Sequence, residues 1–89
     1  GGKLKEAGLT HWETPNSAAT NESGFTAISG GTFSGGYFFS TETIGFWWST
    51  TSQSISTNIG QSMFNNNMEV LIEPLRNTDG NSVRCVKDN

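Results

Sequence analysis

The chain has 89 residues, enough for one domain, with a formal net charge of −3 and 15% charged side chains, well below the roughly 25% of an average soluble protein. Five Lys and Arg residues with no basic cluster exclude a nucleic-acid footprint and argue against an anionic membrane partner. No apolar run approaches the ~18 residues of a spanning helix, so no membrane insertion is expected, and the single Cys85 excludes an internal disulfide.

The opening Gly1-Gly2, without a methionine, reads as a trimmed product. Lys3 to Ala7 followed by Gly8 suggests the end of a short helix with Gly8 as its left-handed cap. Residues 13–24 are polar, carry a proline and read as loop. Phe25 to Ser29 alternates large and small side chains and predicts a strand, broken by Gly30-Gly31. Phe33 and Gly35-Gly36-Tyr37-Phe38-Phe39 predict an irregular aromatic loop that tucks its rings inward.

Ile44 to Thr50 is the clearest strand, with Phe46 and Trp48 on one face and Trp47 and Ser49 on the other. Each buried tryptophan would cover ~150–250 Å², about 4–6 kcal/mol as an upper bound. Ile59 to Phe64 reads as a strand with Gly60 as a bulge or close-approach point. Met68 to Glu73 alternates, and Pro74 ends that strand or makes it an edge, because proline cannot donate to a ladder. Asp79-Gly80 suits a hairpin turn, and Val83-Arg84-Cys85-Val86 predicts a last strand. The core set is therefore Phe25, Phe46, Trp47, Trp48, Val83, Arg84 and Cys85. A buried Arg84 requires an ion pair or several carbonyls, and Cys85 reads as a small buried hydrophobe.

Five stretches in order carry a family resemblance: Gly1 to Gly8, Thr10-His11-Trp12, Pro15-Asn16 with Ala19 to Ala27, Gly45 to Thr50, and Ser82 to Asp88. In these the chain resembles the Fibrobacter succinogenes major paralogous domain, across residues 1–89 as a single module. The resemblance implies an α+β, β-dominated, C-type-lectin-like twisted antiparallel sheet of the formylglycine-generating-enzyme branch. Long loops and at most one short helix go with it. It also implies the C-terminal part of a longer, incomplete domain whose last strand presents an open edge. It places the module extracytoplasmically, on a Bacteroidetes surface protein, lipoprotein or secreted protein.

Enzyme chemistry is disfavoured. The formylglycine-generating relatives use two cysteines, and no Ser/His/Asp constellation or phosphate-cradling loop is visible. Metal ligands are not expected: His11 lacks a neighbouring ligand, and Glu73-Pro74, which echoes a calcium-lectin pair, is followed by Leu75. Calcium wants 6–8 oxygens, and Glu22, Asn21, Glu42, Asp79 and Asn81 are not gathered in one loop, so calcium stays a secondary cofactor idea and none is assigned.

The candidate ligand-binding set is Asn65, Asn66, Asn67, Glu69 and Arg76, with Trp12 and Tyr37 as partly exposed rings. Asparagine offers donor and acceptor together, although a plain hairpin loop explains the same residues. The expected function is non-catalytic binding of a glycan, peptide or protein partner. A structural spacer is the alternative. A glycan binder should present a partly exposed ring flanked by amides in one shallow groove, whereas an enzyme needs a deep pocket with convergent titratable groups.

Overall fold

The computed structural model describes residues 1–87; Asp88 of the closing motif lies outside them. Five strands follow one another in the chain: β1 (Thr32–Ser34), β2 (Tyr37–Phe39), β3 (Ile44–Ser52), β4 (Thr57–Phe64) and β5 (Val70–Arg76). They form two antiparallel sheets, a β1–β2 hairpin and a β3–β4–β5 meander. The molecule measures 37 × 36 × 17 Å. Stacked layers sit ~10 Å apart, so that thickness admits the meander and one covering layer of loop.

The apolar run from Ile44 sustains β3, and polar residues 53–56 turn it back into β4 through Gln53 and Ser54 amides donated to the Thr57 carbonyl. Register pairs Gly45 with Met63 and Val70, and Trp47 with Gln61 and Ile72, on one face. That face carries the core: Trp12, Ala27 and Met63, with Leu4, Phe25, Trp47 and Val70 packed against them. The other face presents Phe46, Ser62 and Leu71, then Trp48, Gly60 and Glu73. β5 runs through Pro74 as an edge strand. Asn77 donates its amide to Ser56, and ladder alternation from there aims the Pro74 nitrogen away from β4.

The covering layer is the long segment before β1. Lys5 bridges Ala27 in parallel fashion, and the Trp12 indole Nε1 donates to the Ala27 carbonyl at 2.9 Å. Lys5 is fully buried, with no carboxylate partner among the described residues. Its Nζ donates to the carbonyls of Ser17 (2.9 Å), Phe64 (2.8 Å) and Asn67 (3.0 Å) and lies 5.4 Å from the Trp12 ring centre. Three carbonyls from three segments satisfy its three donors, which makes one ammonium the clasp between loop and meander. Burial lowers the Lys5 pKa from its ordinary 10.5.

Several sequence expectations are corrected. No helix occurs among the described residues: Gly1 to Lys5 forms a turn in which the Leu4 and Lys5 amides bond the Gly1 carbonyl, and Lys5 then enters its bridge to Ala27. Phe25 to Ser29 is not a strand, because Thr26 takes a positive φ of 56° and leaves Ala27 alone to make the bridge. The aromatic loop is a true hairpin. Gly35 and Gly36 both hold positive φ (58° and 89°), which a two-residue primed turn requires, and its rings point outward instead of inward.

Asp79-Gly80 turns the chain but opens no hairpin, because Gly80 pairs with Phe33. The expected last strand, Val83 to Val86, does not form; only Ser82 just before it joins the sheet, exchanging bonds with Phe46 and Trp48 beside β3. Val83, Arg84 and Cys85 are exposed and contribute nothing to the core. Among the described residues Arg84 meets no carboxylate; its guanidinium donates to the Phe25 carbonyl at 3.0 Å and stacks 4.6 Å from the Phe25 ring centre. These three residues lack a strand neighbour that would shield them, so apolar character alone did not bury them.

Candidate functional site

One shallow concavity of about 310 Å³ opens at the far end of the meander, lined by Trp48, Ser49, Asn58 and Asn77. Three strands contribute. Trp48 and Ser49 come from β3, Asn58 from β4, and Asn77 directly follows β5. The β3–β4 register shifts between Trp48 and Ser52, and a bulge of this kind re-aims side chains at a sheet margin. Ser49 fills the gap by donating its hydroxyl to the Ile59 carbonyl at 2.6 Å.

Trp48 is half-buried. Gly60 sits opposite it in register, and a Cβ there would collide with Leu75 Cδ1. The bare glycine thus admits Leu75 beneath the groove. The Trp48 indole N–H and the side-chain amides of Asn58 and Asn77 make no hydrogen bond to any described residue. The Asn77 backbone is nonetheless fixed by its bond to Ser56. An apolar ring with flanking donors and acceptors, held on a rigid frame, suits a ligand that has both a flat apolar face and hydroxyl or amide edges. None of the four lining side chains titrates near neutrality.

The residues expected from sequence to bind ligand do not gather there. Asn65 donates its side-chain amide to the carbonyls of Glu13 (3.4 Å) and Thr14 (3.1 Å), tying the loop to the sheet. Asn67 closes a local turn, accepting from the Glu69 amide at 2.9 Å, while its carbonyl receives Lys5. Asn66 and Glu69 stand exposed beside them. Arg76 pairs with Asp79 at 3.3 Å and donates to Ser34 Oγ at 2.8 Å.

Trp12, expected to be a partly exposed ring, is 1% exposed and belongs to the core. Tyr37 is 71% exposed, on the hairpin and away from the groove. Among the described residues, no three His, Cys, Asp or Glu side chains gather as a metal site, and Glu73 instead accepts from the buried Ser62 hydroxyl at 3.3 Å.

Sequence reasoning missed Asn58 and Asn77. The available signal was register: a β3–β4–β5 meander brings β4's first residues and the end of β5 beside Trp48. Ranking asparagines by clustering favoured the 65–67 run instead.

The family model described as the Fibrobacter succinogenes major domain matches residues 1–87. No curated protein and no solved structure matches the chain.

Proposed function

The chain belongs to the Fibrobacter succinogenes major domain family, and from that premise we propose that it is a non-catalytic, extracytoplasmic ligand-binding module whose site is the Trp48 groove. The favoured ligand is a glycan, taken with a sugar face on the indole and hydroxyls on Asn58 and Asn77. One observation carries this reading: a half-buried ring flanked by two uncommitted amides in one shallow concavity. The lining residues supply shape and hydrogen bonds; the Ser49 hydroxyl is spent on the Ile59 carbonyl and no acid or base lines the groove beside it, which supports binding over catalysis. A C-type-lectin-like identity for the fold, and display on a surface or secreted protein, belong to the same proposal and rest on the resemblance described above.

The test is a glycan array probed with the 89-residue chain, followed by titration of any hit. Trp48→Ala should weaken binding about 30-fold or more, the ~2 kcal/mol expected for truncating a central anchor. Asn58→Ala should weaken it about 5-fold, one hydrogen bond's worth. Binding that survives both changes would place the site elsewhere than the Trp48 groove, and no binding to any glycan or protein probe would leave the spacer as the better reading.

A further inference from the structure

The β1–β2 hairpin carries four aromatic rings that the fold leaves outside: Phe33 (40% exposed), Tyr37 (71%), Phe38 (71%) and Phe39 (51%). Phe33 and Phe38 touch edge to face, 4.8 Å between centres. Tyr37 and Phe39 project from the opposite face, by strand alternation. No charged side chain stands between Glu22 and Glu42, so the hairpin lacks the charges that usually blunt an exposed edge.

Its backbone is also incomplete on one side. Phe33 exchanges both its amide and its carbonyl with Gly80, at 2.8 and 2.7 Å. Those groups therefore point away from β2, and the Phe33–Phe38 pair is a non-hydrogen-bonded one. It follows that the Phe38 N–H and C=O point outward on the β2 border, and no described residue meets them.

We infer that this border is a self-association surface whose occupant is β2 of a second copy of this chain. An antiparallel pairing centred on Phe38 satisfies the outward groups of both chains and sets Tyr37 opposite the second copy's Phe39. On the other face, Phe33 and Phe38 of both chains form one aromatic row. Each of these is an aromatic cross-strand contact of the stabilising kind. The arrangement has a two-fold axis, so the surface complements itself and brings no like charges together. An extended segment of a different protein has no such ring register to meet, and Arg76, the basic residue that reaches the hairpin through Ser34, is already paired with Asp79, which leaves an anionic lipid surface little to hold.

Sedimentation velocity of the 89-residue chain over a concentration series tests this. The mass should climb reversibly from 9.6 kDa toward the dimer. Where nine chains in ten are paired, the Phe38 amide should exchange with deuterium about tenfold more slowly. Phe38→Lys should hold the chain monomeric, whereas Leu71→Lys, at an exposed apolar site on the meander, should not.

Because Phe38 is mostly exposed, its replacement should leave the fold intact, checked by circular dichroism. A second variant, Phe38→Cys in a Cys85→Ser background, should form an intermolecular disulfide faster than Ile55→Cys in the same background. A chain that stays monomeric at millimolar concentration overturns the inference. So does association that survives Phe38→Lys, or insertion of the hairpin into phosphatidylcholine vesicles by a chain that remains monomeric.

Discussion

Trp12 and Trp48 are the same side chain put to opposite uses. Trp12 sits on an irregular loop, yet it is sealed, with its indole N–H spent on Ala27 and an ammonium over its ring. Trp48 sits mid-strand, the setting that suggests burial, yet part of the ring is left in reach of solvent beside two idle amides. What separates them is the covering layer. Residues 1–30 lie over one face of the meander and are locked there by Lys5, while the face bearing Trp48 carries no such layer. Coverage, which is a long-range property, decides whether an indole becomes core or contact surface.

Substitution at each indole should pull the two apart. Trp12→Ala deletes a buried ring and leaves the Ala27 carbonyl short of a donor, so a loss of about 3–5 kcal/mol is expected in urea denaturation. That change removes ligand binding only by unfolding the chain, and a folded, non-binding Trp12→Ala protein would contradict the assignment of this ring to the core.

Lys5→Met should come next, at about 2–4 kcal/mol, since three carbonyls lose their donor together. Its pH dependence has a definite sign. Burial lowers the folded-state pKa of Lys5 below 10.5, so between those values the unfolded chain binds more protons. The ionisation-linked part of the stability is therefore fully present above 10.5 and is lost as the pH falls through the lowered pKa, over and above the contribution of the three carbonyl bonds. Urea midpoints of the natural chain relative to Lys5→Met should rise with pH across that window, and a flat difference would contradict a desolvated ammonium.

Trp48→Ala should cost less than Trp12→Ala, about 2–3 kcal/mol by the same measurement, because part of its surface is already hydrated. Smallest of all, Asn66→Ala should change both stability and affinity by no more than about 0.5 kcal/mol. A larger effect on affinity would move the site toward the asparagine run.

The sequence made the meander legible where local pattern decides. The Ile44 run and the alternation after Met68 are strands, and Pro74 marked β5 as an edge because a missing donor is tolerated only there. It misled where coverage or partners decide. Val83 to Val86 has the apolar character of a strand, but only Ser82 beside it finds a ladder, and Val83 is 74% exposed. Phe33 to Phe39 was expected to fold its rings inward, because aromatic residues usually seek a core. The diglycine turn instead holds them on a fin with no core to reach. The groove was hidden for a related reason: Trp48, Asn58 and Asn77 are separated along the chain and meet only through the register of three strands.

The borders of the two sheets differ in a way that limits how copies of the chain accumulate. β3 is closed on its outer side by Gly31 and Ser82, and β5 shows a proline where a newcomer strand would look for a donor. Among the described strands, β2 is the border with no such block. A body with one receptive margin, used up when a second copy docks across the two-fold, stops at two and does not grow into a fibre.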